Sequence, residues 1–340
     1  MIHLHDIRYV RLGTSDMDAA VKYSTELLGL EVASRENKSV YFRSDSRDHT
    51  LCYFEGDPAD HTVAFEVDTL EELQSAAQFL EGRGFQVHLG SATECEQRRV
   101  REFINFKDPS GNSVDLVYEP HHSGRRYFPT RDAGITGFSH IGLRTVNARR
   151  DERFWTGLMG ARVSDRIGDA PLLRIDEVHH KIALFPSTYP GVQHINHQVE
   201  SIDDVMRAYY ILKERNIPIR FGPGRHPTSG AMFLYFEGPH GMVYEYSTGV
   251  RLIQPEDEDT YRPRNFPFTP ESFCMWGSRP DIPEFKWAWR EQRNPLRSNN
   301  ARFVWRRARW HVPGWCTPMA IAVCGSMSSI FWCARPSQWD

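Results

Sequence analysis

An internal repeat constrains the fold of this chain more than any other feature of its sequence. Residues 1–120 and 136–250 follow one pattern, and the match stays in register over three blocks. The paired blocks begin at Leu12 and Leu143 (offset 131), at Val67 and Val199 (offset 132), and at Phe103 and Phe233 (offset 130). A chain that carries two such copies is expected to fold as two similar modules.

Each copy has the order strand, helix, strands, helix, strands. Apolar residues at helical spacing, such as Leu70, Leu73, Ala77 and Leu80, support the helix assignments. The helices are predicted near residues 17–28, 70–83, 148–158 and 202–215. The strands are short and end at turns such as "DPSGN" and "GPHGM". Because strands after a helix follow one another by hairpin, we expect an α+β fold of tandem βαβββ modules that form two half-barrel domains, and not a parallel α/β sheet.

The composition divides the chain further. We predict an N-terminal domain at 1–125, a C-terminal domain at 126–255, an extension at 256–287 and an atypical tail at 288–340. The tail holds six of the nine Trp and eight Arg without Lys, so that it carries +6 while residues 1–287 carry −9. Its stretch "MAIAVCGSMSSIFWCA" is too short and too diluted with Ser and Gly for a membrane span. We interpret the tail as an appended segment; a shifted reading frame would give a similar composition.

Charge and cysteine content favour small-molecule chemistry in a reducing cytoplasm. The formal net charge of −3 among 340 residues gives no reason to expect nucleic acid or a membrane as a partner. The six cysteines, which lack CxxC spacing, are Cys52, Cys95, Cys274, Cys316, Cys324 and Cys333. The first residues contain no apolar leader behind basic residues. We therefore expect free thiols in a reducing cytoplasm.

Comparison of the copies indicates a metal site in the second one. His140, His194 and Glu245 lie on three separate predicted strands of that copy. The corresponding first-copy residues are Tyr9, Thr62 and Asp115. Tyr9 and Thr62, which stand in the places of His140 and His194, cannot replace a neutral imidazole as a metal ligand. Two histidines and one carboxylate form the facial triad that suits non-haem Fe(II), so we expect 126–255 to be catalytic and 1–125 to be metal-free and structural.

The stretch "PGVQHINHQVESIDDV" offers two histidines, and strand parity separates them. His194 and His197 are an odd number of residues apart, so their side chains face opposite sides of a strand. We take His194 as the ligand and expect His197 to be an ordinary core or surface histidine with its hydrogen bonds satisfied.

Several stretches resemble a known enzyme family. "GFSHIGL", "HHKIALF", "HINHQVESIDDV" and "GPGRHPTSGAMFLYFEGPHGMVYEYSTG" are similar to segments of the two-domain type I extradiol catechol dioxygenases, members of the vicinal oxygen chelate (glyoxalase/bleomycin resistance) superfamily. The resemblance covers roughly residues 1–250, and "YFEGPHGMVYEY" is its most specific part. The tail has no counterpart in the family pattern.

The resemblance implies roles for individual residues. His140, His194 and Glu245 match the iron ligands of the family. His180 matches its acid/base histidine, and His226 and Tyr235 match its pocket histidine and tyrosine. His179 would replace His180 if the strand were shifted by one residue, and parity alone does not decide between them.

These expectations combine into one function. We predict an Fe(II)-dependent extradiol dioxygenase, with Mn(II) as the other possible metal, that uses O2 to cleave a substituted catechol of the biphenyl-2,3-diol, alkylcatechol or dihydroxy-cumate type to a yellow semialdehyde. Arg225 is either a partner for a substrate carboxylate or a solvated loop residue. The resemblance implies a homo-oligomer. The alternatives are a metal-dependent glyoxalase-like isomerase or thiol transferase, and a non-catalytic binding protein of the same fold.

Overall fold

Two mixed β-sheets, one for each copy of the repeat, organise the chain. The protein is represented by a computed structural model that describes residues 1–36 and 38–286. The predicted tail at 288–340, with three of the six cysteines, lies outside the described residues. The domain boundaries after residues 125, 255 and 287 stay predictions.

The first module contains eight strands and three helices. The strands are β1 (Asp6–Thr14), β2 (Glu31–Glu36), β3 (Ser39–Arg43), β4 (Leu51–Glu55), β5 (His61–Glu66), β6 (Val87–Leu89), β7 (Val100–Lys107) and β8 (Ser113–Pro120). The helices are α1 (Met17–Lys22), which continues as a π-helical turn over Tyr23–Leu27, α2 (Leu70–Glu81) and α3 (Ala92–Arg98).

The second module repeats the order of the strands and of α1 and α2, has no counterpart of α3 among the described residues, and adds a short extension. Its strands are β9 (Ile135–Thr145), β10 (Arg162–Ile167), β11 (Ala170–Arg174), β12 (Ile182–Pro186), β13 (Gly191–Val199), β14 (Ile219–Arg225), β15 (Met232–Glu237) and β16 (Val243–Thr248). Its helices are α4 (Ala148–Gly157) and α5 (Ile202–Glu214), and the extension supplies β17 (Arg264–Phe266) and α6 (Pro270–Phe273). Short 3₁₀ turns lie at Pro239–Gly241 and Pro255–Asp257.

The two sheets share one topology. The first has the strand order β2-β3-β4-β1-β5-β8-β7-β6, and the second has β10-β11-β12-β9-β13-β16-β15-β14, with β17 beside β10. The register repeats as well. Arg11 pairs with Thr62 as Gly142 pairs with His194, and Ala64 pairs with Asp115 as Asn196 pairs with Glu245. The predicted α+β fold of tandem βαβββ modules is confirmed.

The predicted helices form where the apolar spacing placed them, and α3 was not predicted. On α2, the residues Leu73, Ala76, Ala77 and Leu80 are buried on one face, as a 3.6-residue period requires. Capping boxes begin both α2, at Thr69, and α3, at Ser91. The pattern Ser-x-x-Glu at 91–94 is a helix-start signal that could have predicted α3.

The modules pack through a shared core. Apolar side chains of both copies form one continuous cluster, in which the ring of Phe65 lies 5.4 Å from that of Trp155. The hydroxyls of Tyr53 and Tyr244 join the modules by a 2.6 Å hydrogen bond. No helix among the described residues has the length and apolar character that a membrane span requires.

Candidate metal centre

Three neighbouring strands bring His140, His194 and Glu245 together. The residues lie on β9, β13 and β16, which are adjacent in the sheet. His140 Nε2 lies 3.0 Å from His194 Nε2 and 3.0 Å from Glu245 Oε2, and His194 Nε2 lies 3.4 Å from the same oxygen. All three side chains are buried.

This donor set fits a divalent cation. Donor atoms about 2.1 Å from a metal and at right angles around it are about 3 Å apart, which matches the spacing of the triad. Among the described residues, neither carboxylate oxygen of Glu245 has a partner with hydrogen-bond geometry. A buried carboxylate without donors is costly unless a cation balances it. Two neutral imidazoles and one carboxylate, with positions left open, suit Fe(II) or Mn(II).

Local backbone features orient His194. The β9–β13 pairing shifts between Val192 and His194, and this bulge lets the side chain of Gln193 reach the ring of its neighbour. Gln193 Oε1 accepts a hydrogen bond from His194 Nδ1, so the Nε2 lone pair of His194 is free to bind a metal. On the facing strand, a Cβ at Gly142 would lie 2.3 Å from His194 Nδ1. Only glycine leaves room for this ring.

His197 lies in the core, outside the triad. Its ring is fully buried, and its centroid lies 6.5 Å from the centroid of the Tyr244 ring. Neither ring nitrogen has a hydrogen-bond partner among the described residues, so the expectation of a satisfied histidine is wrong in that respect. Burial lowers the pKa of His197 to about 4, so the ring is uncharged at neutral pH.

His180, Tyr235 and His226 surround the triad. The ring centroid of His180 lies 4.3 Å from that of His140, and the ring centroid of Tyr235 lies 5.2 Å from that of His194. Tyr235 Oη lies 3.3 Å from His226 Nε2. The carbonyl of Phe273, on α6, accepts from His226 Nδ1 at 2.8 Å. Nε2 of His226 also lies 3.6 Å from Glu245 Oε1, so this nitrogen lies near both the tyrosine hydroxyl and the carboxylate.

The protonation states follow from burial and neighbouring charges. Burial, together with the neighbouring His140, holds the pKa of His180 well below its usual value. Burial and the Glu245 carboxylate raise the pKa of Tyr235 well above its usual range. Burial opposes the charged form of Glu245, yet the imidazole of His140 and its neighbours hold the pKa of that carboxyl well below its usual value. At neutral pH the site thus contains a neutral imidazole, a phenol and a carboxylate.

The structure separates His179 from His180. The ring of His179 is fully buried and faces Asp165, with Nε2 lying 2.9 Å from Oδ2 of that carboxylate. His180 is the member of the pair whose ring contacts the triad. Nothing in the sequence indicated Asp165, because it lies on β10, 14 residues before His179, which lies between β11 and β12.

Aromatic side chains pack beside the metal centre, on the side of Tyr235. They are Phe185 on β12, Phe221 on β14 and Phe285 in the extension. The ring centroid of Phe285 lies 4.7 Å from that of Phe185 and 6.0 Å from that of Phe221. Arg225 is exposed and donates through Nε to the carbonyl of Gly230. Arg225 is the last residue of β14 and not a loop residue, but its exposure favours a solvated side chain over a substrate contact.

The first module has an arginine at the corresponding place. Asp115 is fully buried and accepts hydrogen bonds from Arg98 Nε at 2.8 Å, Tyr9 Oη at 2.9 Å and Asn105 Nδ2 at 2.7 Å. Helix α3 carries the guanidinium into the half-barrel. In the first copy, the guanidinium of Arg98 thus supplies the positive charge that balances the Asp115 carboxylate.

Known proteins resemble this chain over most of its length. Two stretches, residues 6–116 and 137–246, match the model of the Glyoxalase/Bleomycin resistance protein/Dioxygenase superfamily. A 1,2-dihydroxynaphthalene dioxygenase of Sphingobium xenophagum is 26% identical over 279 residues, which cover 76% of this chain and 93% of the relative. An iron-dependent extradiol dioxygenase of Rhodococcus jostii is also 26% identical, with coverages of 74% and 92%.

A solved structure gives the same result for the fold. The Mn(II)-bound glyoxalase from Novosphingobium aromaticivorans superimposes with a TM-score of 0.74 at 26% identity, covering 83% of this chain and 94% of that one. The family model matches both copies of the repeat, including the strands that carry the three converging side chains. The chain belongs to the Glyoxalase/Bleomycin resistance protein/Dioxygenase superfamily.

Proposed function

We propose that this protein is an Fe(II)-dependent extradiol dioxygenase that cleaves the ring of a substituted catechol with O2. The observation that carries the proposal is the convergence of His140, His194 and Glu245 within 3.0 to 3.4 Å of one another, beside His180 and Tyr235. Two relatives support it, one described as an iron-dependent extradiol dioxygenase and one as a 1,2-dihydroxynaphthalene dioxygenase.

The metal would be held by the two imidazole Nε2 atoms and the Glu245 carboxylate. When bound there, Fe(II) supplies open positions for both vicinal hydroxyl oxygens and for O2, together with the redox capacity that a spin-forbidden reaction of O2 requires. Mn(II) accepts the same ligands, and the glyoxalase with this fold binds it. One carboxylate gives the site a net charge of +1 with a divalent cation, so a monoanionic catecholate brings it to neutrality.

The remaining side chains would handle protons and orient the ring. A neutral His180 accepts the proton of one catechol hydroxyl and returns it at a later step, as a general base and acid does. Tyr235 donates a hydrogen bond to the catecholate oxygen, and His226 holds the tyrosine hydroxyl in place. The phenylalanine side chains beside the site exclude water, which strengthens these interactions.

The same aromatic surroundings favour an apolar ring substituent. Of the three substrate types, biphenyl-2,3-diol and the alkylcatechols fit this surface better than a dihydroxy-cumate, because Arg225 points into solvent. We further propose that 126–255 is the catalytic domain, that 1–125 is structural and metal-free, and that the enzyme works in the cytoplasm as a homo-oligomer. The described cysteines Cys52, Cys95 and Cys274 are free, which accords with that compartment.

A glyoxalase-like isomerase or thiol transferase is the second candidate, because a glyoxalase shares the fold. A ligand set distributed over both copies would favour that chemistry, whereas the cluster found here belongs to the second module. It also gives no role to His180 and Tyr235 as a pair.

The proposal is tested by Glu245→Ala. This variant should lose bound iron and turnover of substituted catechols, because two imidazoles alone do not complete the donor set. The matched control is Glu214→Ala at the exposed end of α5, which should keep both. Metal content is measured after anaerobic reconstitution, and turnover by oxygen uptake. Full activity in Glu245→Ala would refute the ligand assignment, and iron binding without oxygen uptake by the unmodified protein would favour the second candidate.

A further inference from the structure

A buried chain of hydrogen bonds runs from His180 away from the metal centre. His180 Nδ1 lies 3.1 Å from His179 Nδ1, and His179 Nε2 lies 2.9 Å from Asp165 Oδ2. His179 and Asp165 have no exposed surface. The two rings are nearly perpendicular, with an interplanar angle of 89°, so each nitrogen can point at the other.

Two arginines keep Asp165 ionised. Arg264 donates to its carboxylate from the backbone N at 2.9 Å, from Nε at 3.1 Å and from Nη2 at 2.6 Å. Arg251 Nη2 lies 3.5 Å from the same carboxylate. A carboxylate balanced by guanidinium groups stays charged and can only accept hydrogen bonds. Its contact with His179 therefore requires a proton on Nε2 of that ring.

The proton on His179 Nε2 determines the tautomer of His180. Burial lowers the pKa of His179, and the arginines already balance the charge of Asp165, so the ring is neutral. A neutral ring with a proton on Nε2 has a bare Nδ1, which can only accept. The partner at 3.1 Å must then donate, and His180 carries its proton on Nδ1.

This assignment leaves the lone pair of His180 on Nε2. That atom has no hydrogen-bond partner among residues 1–36 and 38–286, and the ring packs against His140 at a centroid distance of 4.3 Å. A base must present a lone pair to the proton that it accepts. In the opposite tautomer, Nε2 would carry a proton and could not act as a base.

We propose that His179, supported by Asp165, is a positioning residue that holds His180 as the Nδ1–H tautomer with its Nε2 lone pair towards the bound catechol. The inference rests on the proposed function. One catechol O–H proton moves to His180 Nε2, the ring becomes an imidazolium that still donates from Nδ1 to His179, and the same proton leaves Nε2 in a later step. His179 and Asp165 keep their own protonation states throughout.

The first test is the tautomer itself, read by ¹⁵N NMR of histidine-labelled, metal-free protein at neutral pH. Wild-type His180 should show a protonated Nδ1 and a bare Nε2, and His179 the reverse. A proton on Nε2 of His180 would overturn the proposal. This measurement needs no variant that has to fold and no turnover, so it decides the tautomer even if no catechol is cleaved.

The second test compares two replacements of His179. His179→Leu removes the acceptor, and kcat should fall by about 10²-fold, the lower end of what general acid–base catalysis contributes, with KM and bound iron nearly unchanged. His179→Asn places Oδ1 where Nδ1 was and can accept from His180, so it should recover most of the rate. The control is His49→Leu, a buried histidine of the first module, which should keep the wild-type kcat.

The outcomes separate the two proposals. If wild-type protein cleaves catechols and His179→Leu keeps the wild-type kcat, the positioning role is wrong and the proposed function stands. If wild-type protein binds iron but consumes no oxygen with any catechol, the proposed function is wrong, and the NMR result alone decides how His180 is held.

Discussion

Gly142 is the position where one methyl group would disturb the metal centre most directly. A Cβ there would lie 2.3 Å from Nδ1 and 2.6 Å from Cε1 of His194, well inside van der Waals contact. We expect Gly142→Ala to displace the ring and to lower the affinity for Fe(II) by at least ~10-fold, as loss of outer support for a ligand does. Anaerobic calorimetric titration measures the affinity.

The matched control for this substitution is Gly157→Ala, where no atom lies within 4 Å of the added methyl group. It should leave the affinity unchanged. An unchanged affinity in Gly142→Ala would mean that His194 is not held as the geometry indicates.

Individual side chains were predictable from the sequence to different degrees. His140, His194 and Glu245 stood out because they interrupt the correspondence of the two copies, and the structure brings them together. Asp165 gave no signal, since its contact with His179 exists only in the folded sheet. Gln193 is adjacent to His194, and strand parity alone would place their side chains on opposite faces; the bulge lets Gln193 reach the ring of His194.

Helix α3 marks the main difference between the modules. It carries Arg98 to the buried Asp115, at the place where β14 and β15 of the second module are joined by the loop that holds His226. We expect Arg98→Met to destabilise the protein by about 3–5 kcal/mol, because it leaves a buried carboxylate without its cation. Chemical denaturation monitored by circular dichroism measures the free energy of unfolding.

Two further variants make this prediction specific. Adding Asp115→Asn to Arg98→Met should restore much of the lost stability, since the carboxylate charge is then removed as well. Arg101→Met breaks only the exposed pair with Glu119 and should change stability little. Equal stability of Arg98→Met and the wild-type protein would refute the role assigned to this ion pair.

The elements themselves were largely predictable because the repeat supplied the evidence twice. The four predicted helices correspond to α1 with its π-helical turn, α2, α4 and α5. The short elements β17 and α6 were not predicted. Three- and four-residue segments have no periodicity of their own, and these two form because they pack on the second sheet and against the pocket aromatics.

For the molecule as a whole, the two copies have the same topology but different chemistry. One half-barrel holds an arginine beside its buried carboxylate, and the other holds two imidazoles at 3.0 and 3.4 Å from the carboxylate. The duplication explains how one module can form a site while its partner contributes a shared core. Comparison of the copies singled out His140, His194 and Glu245 of the second module, whereas Arg98 in the first module and the packing between the modules required the structure.

We propose that the second module holds Fe(II) and that the protein cleaves catechols with oxygen. The most direct measurement is oxygen uptake by full-length protein that has been reconstituted anaerobically with Fe(II) and then mixed with a catechol that carries an apolar substituent. We expect one O2 to be consumed per catechol, with a yellow ring-opened product. Stoichiometric iron in the protein without oxygen consumption on any catechol of an alkyl, aryl and carboxylate panel would contradict it.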